Sequence, residues 1–195
     1  MSATAVAPRM SASNERMSSV KLVFSWIGIS LLAFPLGGLL GWGIGGHVDG
    51  VGPALIGGAL TGAGIGFAQW FLLRRDLDMS PIWIAATTVA LAVGLTIGAA
   101  VVGYETDAGS LAIMGAISGA AVGIAQGPLL RGRFSLWVVW MIAMPAMWSL
   151  GWLVTEAGGI KVSNQFTVFG AYGSIAFGLM AGLLMMAGSR TQHSA

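Results

Sequence analysis

Two glutamines are the side chains in this sequence with the most obvious chemistry. Gln69 and Gln126 each lie in a long apolar stretch, five residues before an arginine. A side-chain amide both donates and accepts hydrogen bonds. Inside a membrane, each amide either forms a hydrogen bond to another helix, at roughly 0.6–2 kcal/mol per contact, or the two form a polar pair that lines a shallow cytoplasmic cavity. We favour the hydrogen bond between helices and keep the cavity as the alternative.

The sequence offers few groups that could carry out catalysis. Cysteine is absent, and the two histidines, His47 and His193, are predicted to lie on opposite faces of a membrane. No metalloprotease helix, nucleophile elbow or cluster of metal ligands can be recognised. The sequence therefore predicts that the protein is not an enzyme and has no catalytic residue, cofactor or metal site.

The composition places these residues in a bilayer. Of the 195 residues, 56% are hydrophobic and only 8% are charged, and the mean hydropathy is +0.84. Soluble domains carry roughly 25% charged residues, so this chain could not cover a water-facing surface. The net charge of +2 is small and thinly spread, which argues against a nucleic-acid partner. Membrane lipids are the expected partners.

Six stretches are long and apolar enough to cross the hydrocarbon core, which needs roughly 20 residues of helix. They cover about 22–44, 52–73, 81–103, 109–130, 136–156 and 166–188. None alternates apolar and polar residues as a barrel strand would. The predicted fold is an all-α integral membrane bundle of six transmembrane helices over 22–188. A disordered cytoplasmic tail, 1–21, is expected before it, and a short cytoplasmic tail, 189–195, after it.

The basic residues predict the orientation of the bundle. With the N-terminus in the cytoplasm, eight of the nine Lys and Arg fall inside and only Lys161 falls outside. Four arginines at the inner ends of the second and fourth spans are expected to contact lipid headgroups: Arg74, Arg75, Arg131 and Arg133. The prediction is a multi-pass protein of the bacterial cytoplasmic (inner) membrane with both termini in the cytoplasm.

The chain repeats itself with a period of 57 residues. Superimposing 58–74 on 115–131 gives ten identities in seventeen positions, and the same shift carries Trp26 onto Trp83 and then onto Trp140. The third returning helix is degenerate, because it keeps small residues but lacks the glutamine and the arginine. The pattern predicts three tandem two-helix hairpins, related by an axis along the membrane normal, at 22–74, 81–131 and 136–188.

Glycines four residues apart form rows on the returning helices. Such residues share one helix face and allow backbones to approach closely in lipid. The predicted helix-packing residues are Gly58, Gly62, Gly66, Gly115, Gly119, Gly123, Gly178 and Gly182. A phosphate-binding glycine loop is the alternative, but that motif requires a preceding strand, which is not predicted here.

Tryptophans and acidic residues gather near the predicted membrane boundaries. We interpret the tryptophans as an aromatic belt, with Trp26, Trp70, Trp83, Trp137 and Trp140 at the inner boundary and Trp42 and Trp152 at the outer one. The acidic residues on the outer connections are either solvated loop groups or a mouth that attracts cations: Asp49, Glu105, Asp107 and Glu156.

The repeated phrase resembles one carried by a loose group of uncharacterised small bacterial polytopic membrane proteins. That group has a G-x-x-x-G…G-x-x-Q-W-x-x-L-R phrase followed by a Trp-led span. Here "GGALTGAGIGFAQWFLLRR" is followed by "PIWIAATTVALAVG", while "GAISGAAVGIAQGPLLRGR" departs from the phrase at Gly127. The resemblance covers residues 52–156 and implies helix packing and topology without a particular activity.

Two kinds of function are open on these grounds. The first is a non-catalytic structural or accessory subunit that packs through its glycine faces, as a homo-oligomer or within a larger membrane complex. The second is a small-solute permease, a channel or a substrate-binding membrane subunit of a transporter. No ionisable residue falls in the middle of any span, which argues against proton-coupled transport. We favour the first.

Overall fold

The fold consists of six long α-helices. The computed structural model describes residues 12–160, 162 and 166–191, and of 12–19, 75 and 189–191 it describes the backbone alone. The helices are α1 (Ala12–Gly45), α2 (Val51–Asp76), α3 (Ile82–Val101), α4 (Ala108–Leu130), α5 (Trp137–Ala157) and α6 (Ala171–Thr191). Each contains a stretch long and apolar enough to cross a membrane, and no strand occurs among the described residues. The predicted all-α fold of six membrane-spanning helices is confirmed.

Two helix starts differ from the predicted span boundaries. α1 begins at Ala12 rather than at 22, because no proline or glycine lies between there and the first span, so part of the predicted tail is helical. Residues 1–11 and 192–195 of the two predicted tails lie outside the described residues. α6 begins at Ala171 rather than at 166, because the chain just before it packs into the bundle without forming a helix.

The six helices form a closed ring. Each helix packs antiparallel against its neighbours in chain order, and α6 returns to pack against α1. One end of the ring carries the α1–α2, α3–α4 and α5–α6 connections and is called the distal end below. The opposite end, called the proximal end, carries the α2–α3 and α4–α5 connections.

Rows of glycine bring α2, α4 and α6 into backbone contact with the next helix of the ring. A β-carbon at Gly62 would lie 2.8 Å from the Thr87 carbonyl oxygen, and one at Gly119 would lie 2.5 Å from that of Met144. Any residue larger than glycine would therefore force the helices apart. All eight predicted packing glycines face a neighbouring helix: Gly58, Gly62 and Gly66 face α3, Gly115, Gly119 and Gly123 face α5, and Gly178 and Gly182 face α1.

A second set of close contacts holds the two helices of a hairpin together. Gly37 of α1 packs on Thr61 of α2, and Gly94 of α3 packs on Ser118 of α4. The Thr61 hydroxyl donates a hydrogen bond of 3.0 Å to the Gly37 carbonyl oxygen. Small residues thus set the helix spacing both within hairpins and between them.

Aromatic side chains fill the middle of the ring. Trp26, Trp83 and Trp140 are fully buried, and the rings of Trp26 and Trp140 lie 5.8 Å apart although α1 and α5 are not neighbours. Phe34 of α1 stacks on Phe169, from the chain before α6, with ring centroids 4.8 Å apart. The ring therefore encloses packed side chains at these levels.

The aromatic belt predicted from the sequence is wrong for four of its seven tryptophans. Trp26, Trp83, Trp140 and Trp152 are at most 1% exposed, so they pack inside the protein. Trp83, Trp140 and Trp152 lie near helix ends, at the depth of a belt, but depth alone does not determine which face of a helix a side chain occupies. The other three are half-buried: Trp42, Trp70 and Trp137.

Replacing Gly119 with alanine is expected to destabilise the bundle, because the new β-carbon would lie 2.5 Å from the Met144 carbonyl oxygen. Overpacking of this kind costs about 1–3 kcal/mol, so the unfolding temperature in detergent, followed by circular dichroism, should fall. Gly28→Ala is the matched control, since nothing lies within 4 Å of its β-carbon position. Equal unfolding temperatures for the two variants would contradict a packing role for the row.

Candidate functional site

A buried polar network occupies the centre of the bundle. Gln126 Nε2 on α4 donates to Gln69 Oε1 on α2 at 3.1 Å and to Thr87 Oγ1 on α3 at 2.9 Å. The indole nitrogens of Trp83 and Trp140 donate to Gln69 Oε1 and Gln126 Oε1 at 3.2 and 3.1 Å. All five side chains are at most 2% exposed. The network therefore connects α2, α3, α4 and α5 through the interior of the ring.

Gln126 is the most connected member of this network. Its amide nitrogen uses both hydrogens, and its amide oxygen accepts from Trp140. Thr87 accepts from Gln126 and donates to the Trp83 carbonyl oxygen at 2.8 Å. Because an indole nitrogen can only donate, these contacts fix which end of each amide is the oxygen. Pairing of this kind avoids the cost of an unpaired polar group in a low-dielectric interior.

Helix geometry explains why these side chains meet. Trp83 and Thr87 are four residues apart, so they lie on the same face of α3. Gln69 and Gln126 each follow the last glycine of a packing row by three residues, so each amide points in about the same direction as its row. The glycine rows thus place both amides against the next helix of the ring.

The structure brings Gln69 and Gln126 together as hydrogen-bond partners on two different helices, a pairing that the sequence did not predict. At most 2% of either side chain is exposed. Two cavities in the distal half of the bundle are lined by other residues. A solute could reach these amides only if the network opened.

α6 carries no glutamine at the corresponding place. Gly178 packs on Ile27 of α1, and Gly66 packs on Ile84 of α3, which lies 57 residues after Ile27. Three residues after Gly66 comes a glutamine of the network, whereas three residues after Gly178 comes Ala181, which is fully buried. The amide found on α2 and α4 is therefore replaced by a methyl group on α6.

The polar atoms of α1 that face this position are left unpaired. Among the described residues, Trp26 Nε1 and Ser30 Oγ have no hydrogen-bond partner, although both side chains are at most 1% exposed. Trp26 is the repeat equivalent of Trp83 and Trp140, whose indole nitrogens both donate to a glutamine. The network is thus complete on two sides of the ring and incomplete on the third.

The four predicted headgroup arginines lie in the last turn of α2 or directly after α4: Arg74, Arg75, Arg131 and Arg133. The Arg74 guanidinium lies 4.2 Å from the ring centroid of Phe71, and that of Arg131 lies 6.0 Å from the ring centroid of Trp137. The side chain of Arg75 is not described. Cations in these places are favoured by the helix macrodipole.

The acidic residues of the distal end include a helix cap. Asp107 Oδ1 accepts from the backbone nitrogens of Gly109 and Ser110 at 2.9 and 3.2 Å, which caps α4. Hydrogen bonds from the Ser110 side chain, and then from its backbone, hold the pKa of Asp107 below its usual value. Among the described residues, no three His, Asp or Glu side chains lie close enough together to hold a metal ion.

Sequence reasoning missed the partners of the two glutamines. Trp83 and Trp140 each follow a network glutamine by fourteen residues, and that constant offset was an available signal. Thr87 offered a weaker signal, because its repeat equivalents are Ser30, which also carries a hydroxyl, and Met144, which does not.

No protein-family model, curated protein or solved structure matches the chain, so arguments about function rest on the geometry described above.

Removing one indole N–H at a time should separate paired from unpaired tryptophans. Trp140→Phe keeps an aromatic ring but leaves Gln126 Oε1 without its donor, and Trp83→Phe removes one of two donors to Gln69. We expect Trp140→Phe to lower the free energy of unfolding by about 1–3 kcal/mol, the cost of a buried unpaired group. Trp26→Phe is the control, because its indole nitrogen has no partner among the described residues. Equal losses for Trp140→Phe and Trp26→Phe, in reversible detergent unfolding, would contradict this network.

The two glutamines should be energetically coupled. Gln126→Leu breaks contacts with Gln69, Thr87 and Trp140, whereas Gln69→Leu breaks contacts with Trp83 and Gln126. We expect Gln126→Leu to be the more destabilising, and the double variant to lose less stability than the sum by about 0.5–3 kcal/mol. Strictly additive losses in a double-mutant cycle would show that the amides do not interact.

Proposed function

We propose that the protein is a non-catalytic integral membrane protein that serves as a structural or accessory subunit in a bacterial cytoplasmic membrane. The observation that carries this proposal is the filled interior. Fully buried tryptophans from α1, α3 and α5 pack inside the ring, and two amides hydrogen-bonded to one another lie beside two of them. A permanent path for a solute would require both groups to move.

The chemistry of the interior supports the same proposal. The central network consists of two amides, one hydroxyl and two indoles, all neutral at any physiological pH. Pumps and proton-coupled transporters place ionisable groups within the membrane, where these groups change their charge during the cycle. A neutral, paired network instead fixes one arrangement of the helices.

The packing glycines limit which faces of this protein another chain could contact. All eight glycines of the rows face a neighbouring helix of the same chain, so they are not free to receive another protein. A second copy or a larger membrane complex would contact the outer faces of the helices. These faces carry exposed large apolar side chains such as Phe24, Leu32 and Ile142.

We further propose that the chain is organised as three hairpins around an axis along the membrane normal, with both termini in the cytoplasm. The axis is supported by two equivalent contacts. Gly66 packs on α3 and Gly178 packs on α1 at residues that are 57 positions apart, which is the period of the sequence repeat. Supporting the orientation, Arg74 and Arg131 lie at the proximal end, whereas Asp49 and Asp107 lie at the distal end.

Native mass spectrometry of the full chain, extracted gently from its own membrane, tests the accessory role. We expect a fixed stoichiometry with itself or with partner chains, and no faster release of small solutes from reconstituted vesicles than from empty ones. The competing function, a permease or the substrate-binding subunit of a transporter, predicts a monomer that retains a small polar molecule. That result, together with loss of the molecule in a folded Gln69→Ala and Gln126→Ala double variant, would contradict the proposal.

A further inference from the structure

A cavity of about 180 Å³ opens on the side of the bundle. Its walls come from α1, from the C-terminal end of α5 and from the chain that precedes α6. Most of the lining residues are apolar, including Phe34, Pro35, Leu39, Trp152 and Phe166. The cavity is separate from the glutamine network, none of whose members lines it.

The cavity exists because α6 begins deep in the bundle. Gly178 packs on Ile27 of the antiparallel α1. Ala171, seven residues before Gly178, therefore lies level with Phe34, seven residues after Ile27. Beyond this level α1 has no helical turn of α6 beside it, and the non-helical residues 166–170 cover it only in part.

Residues 166–170 are held in this position by hydrogen bonds to three helices. The Thr167 hydroxyl lies 2.7 Å from that of Thr61 on α2 and 3.4 Å from the Gly38 carbonyl oxygen on α1. The Gly170 backbone nitrogen donates to Thr155 Oγ1 on α5 at 3.1 Å. These contacts anchor the cavity wall, so the cavity is a built feature of the fold.

The wall that α1 contributes to the cavity lies within the part of this helix that is long and apolar enough to cross a membrane, Val20–Gly45. Pro35 is ten residues from the end of α1 at Gly45, which corresponds to about 15 Å along the helix, half of a hydrocarbon core of about 30 Å. Leu39 at the rim is 53% exposed, and the apolar surface continues through Leu36 and Leu40, each 57% exposed. The cavity is therefore continuous with the apolar outer face of α1.

We propose that this cavity binds the end of an acyl chain from a lipid of the surrounding bilayer. Among the described lining residues the one side-chain hydroxyl, that of Thr155, already donates to the Gly151 carbonyl oxygen at 2.8 Å and accepts from the Gly170 nitrogen. The described part of the wall therefore has no free side-chain hydroxyl to hold water. Apolar cavities of roughly 150 Å³ stay dry and admit small hydrocarbons, and this one has a comparable size. A flexible chain already present in the bilayer fits that chemistry.

The test uses the full chain in vesicles of phosphatidylethanolamine and phosphatidylglycerol that carry a photoreactive diazirine at the end of one acyl chain. After illumination, labelled residues are identified by mass spectrometry. We expect labelling of Trp152, which lines the cavity but is only 1% exposed, and none of Trp26, which is fully buried elsewhere. Equal labelling of the two tryptophans, or no labelling of Trp152, would overturn the proposal.

Two matched tryptophan substitutions make the test specific to the cavity. Ile160→Trp enlarges a lining residue and should abolish labelling of Trp152, whereas Leu40→Trp adds the same bulk outside the cavity and should preserve it. Unfolding temperatures show whether each variant is folded. If Ile160→Trp does not fold, Leu39→Trp, at the rim of the cavity, is used in its place. Labelling that persists with the cavity filled would overturn the proposal. None of these readouts requires a partner chain, so the accessory role is tested separately.

Discussion

Backbone contact at the glycine rows is the constraint on which the rest of this structure depends. Between helices in lipid no hydrophobic effect favours association, so packing and hydrogen bonds must supply the stabilisation. A β-carbon at Gly62 or Gly119 would lie within 2.8 Å of a carbonyl oxygen of the next helix, so those helices are as close as backbones allow. Repeating this contact from α2 to α3, from α4 to α5 and from α6 to α1 closes six helices into a ring.

The tightness of the ring in turn determines what its interior can contain. Helices in backbone contact enclose a narrow space, and the indoles of Trp26, Trp83 and Trp140 are large enough to fill it at one level. An indole also carries an N–H that needs an acceptor when it is buried. Gln69 and Gln126 supply that acceptor for Trp83 and Trp140 and bond to each other. The polar network thus follows from filling a tight ring with tryptophan, without any need for a ligand.

Much of this fold could be predicted from the sequence, because helix length, hydropathy and glycine spacing are local properties. Closure of α6 onto α1 could not, since it depends on the angles at which successive hairpins pack. The burial of Trp83 was missed because membrane depth can be derived from sequence position, whereas the direction of a side chain within the ring cannot. A hydrogen bond from each glutamine to another helix was predicted, but its partners, Gln126 for Gln69 and Thr87 for Gln126, became visible only once α3 had been placed between α2 and α4.

The third hairpin departs from the pattern of the first two in two ways, and both departures involve α6. Within the first two hairpins Gly37 packs on Thr61 and Gly94 on Ser118, each 24 residues later, whereas Gly151 packs on Phe169, 18 residues later, in the chain before α6. The connection between α5 and α6 is longer than those of the first two hairpins, and its residues 166–170 pack into the bundle without forming a helix. The side cavity lies where the late start of α6 leaves α1 uncovered.

On the same helix Ala181 takes the place of a glutamine and leaves the Trp26 N–H unpaired. Both lateral access for a lipid chain and the weakest part of the polar core thus belong to the α6 side of an otherwise tightly packed ring.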